Sequence, residues 1–233
     1  VPLTAYTDVT RLESGSKVIA NTSANNVRII EGTGVAPASI TLAAPITTIN
    51  TLNQSASGGT SAATIDPDVT NNTLATNSIL VSAGAGSLTI GTTVADGNLR
   101  AAGTALQVIE NSSSGSTINS LITNGTAASS FTKSGSGLLT LTASNTYTGV
   151  TTIDGGILAV SVMANGGANS GIGAAAVAAA NLVLSDGTLR YTGNSVSSNR
   201  GFTIAAGTTG AVDVATSGQT LTISGGIAAT TGN

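Results

Sequence analysis

Few side chains in this sequence can do acid–base, nucleophilic or metal chemistry, and they are scattered. There is no His and no Cys. Without His, no ordinary side chain titrates near neutrality. Without Cys, thiol chemistry, disulfides and the usual zinc-ligand sets are excluded. The closest acidic pair is Asp66 and Asp68, flanking Pro67. Two carboxylates so placed can share a cation or act as acid and base, but a Pro-centred loop carrying two Asp reads first as a solvated turn. Glu13 and Lys17 lie close together without a motif, and Arg28 with Glu31 reads as a surface ion pair. A Ser nucleophile would lack its customary His. The sequence therefore assigns no catalytic, cofactor-binding or metal-binding residue, and the chain is expected to be a non-enzyme needing no cofactor.

Binding chemistry is only slightly better represented. Sugar sites use exposed aromatic platforms, for which Tyr6, Tyr147 and Tyr191 are the candidates. Tyr147 reads more readily as a packing residue at a corner. Thr140, Thr142, Thr146, Thr148, Thr220 and Thr222 have the Thr-x-Thr spacing of an ice-binding face but no even repeat. The scattered Lys and Arg, the net charge of −3 and a pI near 4.6 argue against a nucleic-acid partner. No apolar run is long enough to cross a bilayer, so membrane insertion by this segment is not expected.

The framework that would hold these residues follows from composition. Of 233 residues, 7% are charged and 2% aromatic, while 40% are apolar. The remainder is rich in Thr, Ser, Asn and Gly. Gly, Asn and β-branched residues disfavour helix, and Thr, Val and Ile suit a pleated surface. Disorder is the first alternative for so polar a chain, but the mean hydropathy of +0.33 and the low net charge oppose it. With so few aromatic side chains one thick core is hard to fill. Many thin layers of Ala, Val, Ile and Leu are easier, which is the logic of a solenoid.

Short alternating segments recur throughout, among them Val27 to Ile30, Ser87 to Ile90, Leu138 to Thr142 and Ile157 to Val160. The gaps between them are too short for helical crossovers. A Gly-rich turn followed by Leu-Thr-Ile or Leu-Thr-Leu appears at Gly84–Ile90, Gly135–Leu141 and Gly218–Ile223. Asp-Gly precedes a Leu at Asp96-Gly97, Asp154-Gly155 and Asp186-Gly187. Asp-Gly suits a tight corner but is also a hairpin signal, so an antiparallel sandwich is the structural alternative. Two excursions are expected, one near residues 55–77 and an Ala/Gly-rich loop near 163–180 with one helical turn at most.

Residues 131–160 read FTKSGSGLLTLTASNTYTGVTTIDGGILAV. This stretch resembles the passenger-associated β-strand repeat of autotransporters, through Thr132-Lys133, Gly135, Gly137, Leu139-Thr140-Leu141, Asn145, Tyr147-Thr148-Gly149, Thr151-Thr152, Gly155-Gly156 and Leu158. Residues 181–224 look like the spacer that follows such a repeat, and 1–130 resemble the less regular parts of these proteins. The resemblance implies an all-β, right-handed parallel β-helix (a β-solenoid) exported to the bacterial cell surface. It divides the chain into irregular rungs over 1–130 and the repeat with its spacer over 131–233.

Within the repeat, Leu139, Leu141, Ile153, Leu158 and Val160 are expected to point inward and Gly135, Gly137, Gly149 and Gly155 to set corners. Asn145 either stacks on an Asn of the next rung or lies in a solvent-facing turn. About 20 residues per rung would give on the order of ten rungs and a rod of about 50 Å. The chain opens on Val1, and both ends read as cuts through a continuing stack. The expected function is an extracellular structural module, a stalk, filament or matrix element, joined end to end to copies of itself or to further repeats. An adhesin contacting glycans or proteins is the alternative.

Overall fold

The computed structural model describes residues 6–10, 17–31, 39–56, 60–67 and 72–229. They form successive rungs of a coil. The first rung contributes β1 (Thr7–Thr10) and β2 (Val18–Ile19). The second holds β3 (Asn26–Ile30), β4 (Ile40–Leu42) and β5 (Ile46–Thr48). The third holds β6 (Thr51–Gln54), β7 (Ala63–Asp66) and β8 (Thr73–Thr76). Next come β9 (Ser78–Val81), β10 (Leu88–Ile90) and β11 (Asn98–Ala101), then β12 (Ala105–Glu110), β13 (Ser116–Ile118) and β14 (Leu121–Thr123). The sixth rung has β15 (Ser130–Ser134) and β16 (Leu138–Leu141), and the seventh the long β17 (Thr151–Val160). β18 (Leu182–Tyr191) and β19 (Val196–Ser198) follow, then β20 (Phe202–Ile204), β21 (Gly210–Val214) and β22 (Leu221–Ile223). β23 (Ile227–Ala229) begins another turn.

Strands pair with their counterparts in neighbouring rungs, and among the described residues every strand pairing is parallel. Face one is the succession β1–β3–β6–β9–β12–β15–β17–β18–β20–β23. Face two is β2–β4–β7–β10–β13–β16–β17–β18–β21. Face three is β5–β8–β11–β14, resumed later by β19–β22. This is a parallel β-helix, consistent with the right-handed form, and the antiparallel sandwich is excluded. At about 4.8 Å per step, the nine steps along face one make a rod of roughly 43 Å. The repeat is uneven. The chain takes 20 residues to return from Phe131 to Thr151 and 31 from Thr151 to Leu182.

The Asp-Gly steps are corners, not hairpins. Asp154-Gly155 and Asp186-Gly187 lie inside β17 and β18, where the chain bends from face one to face two without leaving the ladder. That fuses the two faces into one 17-stranded sheet. The Gly-then-Leu-Thr pattern marks a turn and strand, not one place in the rung. It feeds face two at β10 and β16 but face three at β22.

Alternation of side chains within each strand produces internal columns. Ile40, Ile65, Ile90, Ile118, Leu141, Val160 and Tyr191 follow one another along face two, all buried. Leu139, Ile153 and Leu158 are fully buried as well. Burying one such side chain is worth about 1.5–3 kcal/mol. Small layers repeated many times thus replace the aromatic core that this composition cannot supply. Leu158→Ala should cost about 2–5 kcal/mol, the range for a buried Leu in a packed core, whereas Thr117→Ala on the outer surface should cost under about 0.5 kcal/mol. Denaturant unfolding of both variants checks this.

Candidate functional site

Asp66 ends β7 and Asp68 lies outside the described residues, as does Glu13. Arg28 does not pair with Glu31. In a β-strand, residues three apart face opposite sides, and Arg28 instead meets Asp8 directly across the ladder, at 2.9 Å through both Nε and Nη2. Its guanidinium also lies over the Tyr6 ring, 5.3 Å from the centroid, so one face of that ring is occupied. Tyr147 and Tyr191 are buried. Tyr147 packs against Phe131 with centroids 5.7 Å apart and shares a 2.8 Å hydrogen bond with the Thr151 hydroxyl. Burial pushes its phenol well above the usual range. Buried Tyr147 and Tyr191 offer no open platform of the kind that sugar stacking requires, and Arg28 covers one face of Tyr6. Among the described residues no group of three or more His, Cys, Asp or Glu is placed to hold a metal.

The outer surface carries polar columns. Thr64, Thr89, Thr117 and Thr140 line up on four successive rungs of face two, and Thr132 and Thr152 are neighbours on face one. The face-two file is single. Two residues beyond its members stand Asp66, Gly91, Asn119 and Thr142, so the paired array of an ice-binding face is absent there.

The unusual chemistry is inside. Lys133 sits in an inward column between Val108 and Ile153 and is fully buried. Its ammonium donates to the carbonyls of Gly135 and, at 2.9 Å, of Gly155, gathering the corner of the repeat around itself. A Cβ on Gly156, which has φ +59°, would fall on that amine. Desolvation lowers the Lys133 pKa to about 8, against the favourable charges of Glu110 and Asp154. Glu110, also fully buried, accepts a 2.8 Å bond from the Ser112 N–H through Oε1. Its pKa is raised, chiefly by desolvation.

A second buried network repairs face three, to which the sixth and seventh rungs contribute no strand. Asn145 Oδ1 accepts the N–H of Ile122 in β14 at 2.9 Å, and its Nδ2 donates to the Gly171 carbonyl at 3.0 Å. Its backbone makes an antiparallel bridge with Ser170. The side-chain amide thus stands in for a peptide group. Asn145 is buried, but its side-chain partners are main-chain groups rather than a stacked Asn or solvent. Beyond it, residues 161–178 carry no strand, and a single 3-10 turn spans Ala179–Asn181. Arg200 closes this loop from the next rung. Its Nε donates to Ala164 O at 3.0 Å, and Nη2 to Gly173 O at 2.9 Å, Ala168 O at 3.0 Å and Asn165 O at 3.4 Å. All four acceptors are main-chain carbonyls, and desolvation lowers the guanidinium's pKa. On the inner side Gly173 lies against the Tyr147 ring with no room for a Cβ.

Residues 131–160 match the passenger-associated-transport-repeat. Those limits run from β15 to the end of β17 and enclose Lys133, Asn145 and Tyr147. Residues 131–160 are an autotransporter passenger repeat. The chain is also 48% identical, over 124 residues, to the adhesin BmaC autotransporter of Brucella suis biovar 1 (strain 1330). The aligned stretch is 53% of this chain and 4% of that relative. No solved structure matches the chain. Repeat and relative together mark an autotransporter passenger segment whose place is extracellular or at the cell surface. No helix among the described residues is long and apolar enough to cross a membrane.

The sequence reading missed the internal roles of Lys133, Glu110 and Arg200. The one available signal was position: Lys133 falls two residues after buried Phe131, on the inward phase of its strand.

Two outcomes follow from these networks. Unfolded Lys133 keeps its proton to about pH 10.5 while the folded residue releases it near 8, so between those values the unfolded chain binds more protons and stability must rise with pH. The gain should be roughly 2–4 kcal/mol. It should reverse above about pH 10, where ionisation of Tyr147 favours unfolding. Urea unfolding across pH 7–11 measures it, and Lys133→Met should remove the rise. Separately, Arg200→Leu should withdraw the guanidinium from four carbonyls, three of which keep a second donor (Ser198 Oγ on Ala164 O, Ser170 Oγ on Gly173 O, Ala168 N–H on Asn165 O), and expose residues 161–178 to limited proteolysis while the strands remain intact. Equal protease resistance of variant and parent would refute the clamp.

Proposed function

We propose that this segment is a non-catalytic, load-bearing spacer within a longer autotransporter adhesin. The observation that carries the reading is continuity. Parallel hydrogen bonding runs through successive rungs on two faces, and buried Asn145 and Arg200 extend it across the break in the third. Such a ladder distributes tension over many backbone bonds in parallel and denies proteases an unpaired strand. The aromatic side chains lie inside or, for Tyr6, beneath Arg28, which leaves an outer surface poor in recognition groups. The relative's length leaves room for many further rungs, so the partners proposed here are more repeats of the same polypeptide, or other copies, joined end to end.

A direct adhesive role is the second reading, favoured by the relative's name. It would fall on the polar columns of faces one and two. Glycan arrays and immobilised matrix proteins, probed with the purified segment, separate the two. A spacer gives no saturable binding and appears as rods by electron microscopy. Saturable binding abolished by substitutions in the Thr64–Thr140 column would overturn the spacer reading in favour of adhesion.

A further inference from the structure

An Asn-Gly step can modify itself. With no side chain on the second residue, its nitrogen can reach the Asn Cγ. The N–Cγ bond forms, the side-chain nitrogen leaves as ammonia, and water opens the resulting succinimide to Asp or isoaspartate. Water is the only co-reactant and no electrons are transferred. The chain contains two such steps, Asn124-Gly125 and Asn165-Gly166, and both lie at the interrupted third face.

The two are held differently. Asn124 Oδ1 accepts the N–H groups of Ser129 and Thr148, each at 2.9 Å, and Nδ2 donates to Thr148 Oγ1 at 3.1 Å. The Gly125 N–H is itself donated to Ser129 Oγ at 2.8 Å. Nucleophile and electrophile are both fixed, to the connection of the neighbouring rung and to a tight turn. Asn165 lies in the exposed part of the 161–178 loop and is held by a reciprocal clasp with one residue. Gly166 N–H donates to Asn199 Oδ1 at 2.8 Å, and Asn199 N–H donates to Asn165 Oδ1 at 3.0 Å. The clasp sits beside the Arg200 clamp, which takes the Asn165 carbonyl.

We propose that Asn165-Gly166 is a self-modification site gated by Asn199. While the clasp is closed, the Gly166 nitrogen is committed to Asn199 and the amide does not hydrolyse. When the loop opens, hydrolysis proceeds. The isoaspartyl product inserts one extra carbon into the main chain, so the clasp and the Arg200 clamp no longer meet in register. Opening thereby becomes permanent at this loop, while Asn124 stays protected by the body of the coil.

Peptide mass mapping after prolonged incubation at mildly alkaline pH tests this. The native chain should retain both Asn residues, and the urea-denatured chain should convert both. Asn199→Ala removes one hydrogen bond from the gate and should accelerate loss of Asn165 roughly fivefold to tenfold with Asn124 unchanged. Asn199→Asp keeps an acceptor for Gly166 and should stay slow. Equal acceleration in both variants, or native hydrolysis at the denatured rate, overturns the proposal. If Asn199→Ala unfolds, shown by loss of Asn124 as well, the unmodified protein decides. In sub-denaturing urea its Asn165 loss must rise in proportion to hydrogen exchange at Gly166, and hydrolysis indifferent to that exchange refutes the gate.

Discussion

The structure depends on one constraint: each peptide N–H and C=O on a rung must find its complement on the rung above or below. In a parallel coil these groups point along the axis, and one left unpaired inside costs as much as several good contacts gain. Faces one and two meet the constraint mostly with backbone, and at the Asp154-Gly155 corner the Lys133 ammonium takes the carbonyl that the backbone leaves over. Face three cannot, because the sixth and seventh rungs lack strands there. Side chains therefore take over where the backbone departs. Asn145 is suited to the task because a primary amide presents the same donor and acceptor as a peptide group. Arg200 is suited to the far side because an irregular loop presents carbonyls in several directions, and a guanidinium offers five donors in a rigid fork.

The same constraint explains the buried ammonium. At the face-one to face-two corner of the sixth and seventh rungs, Gly135 and Gly155 turn their carbonyls toward the interior, where no strand can answer them. Lys133 reaches both. A neutral donor would satisfy one with less desolvation; the lysine satisfies two and carries a charge that Glu110, from the preceding rung, partly balances. Arg200 has no carboxylate among its hydrogen-bond acceptors, so its charge is dispersed over carbonyl dipoles. Buried charges of this kind give little net stability and a good deal of geometric definition, which is what a corner and a docked loop require.

These facts set the limit of what could be read from the sequence. Alternating Val, Ile and Leu located many of the strands because burial on one side of a strand imposes a period of two, but β7 and β8 lie inside the stretch 55–77 that was read as an excursion. The Gly-Leu-Thr and Asp-Gly spacings located turns because only a few residues accept those backbone angles. Asp-Gly did not distinguish a hairpin from a corner, since both need the same local conformation and differ only in where the next strand goes. Arg28 was assigned the wrong partner for the same reason: its neighbour in space is 20 residues away, in the preceding rung. Lys133 and Glu110 were opaque because a charged residue in an alternating segment reads as outward unless the phase of its own strand is followed, and Arg200 because it lies in the connection between β19 and β20, where there is no phase to follow. Asn145 stood between two readings, and neither foresaw an amide replacing a peptide.

What varies along the rod bears on function. Rungs differ in length at two places: the connection from face one to face two shrinks from eight residues between β6 and β7 to none within β17 and β18, and the third face carries the 161–178 loop. A surface built this way has two regular faces, poor in charge and aromatic groups, and one irregular face where sequence can change at little cost to the coil. The loop at 161–178 is the largest such departure among the described residues, and the coil grips it with Tyr147 on one side and Arg200 on the other. Regular faces give the coil its length. Individual character, including any capacity to be altered after folding, is concentrated on the face that the backbone alone cannot complete.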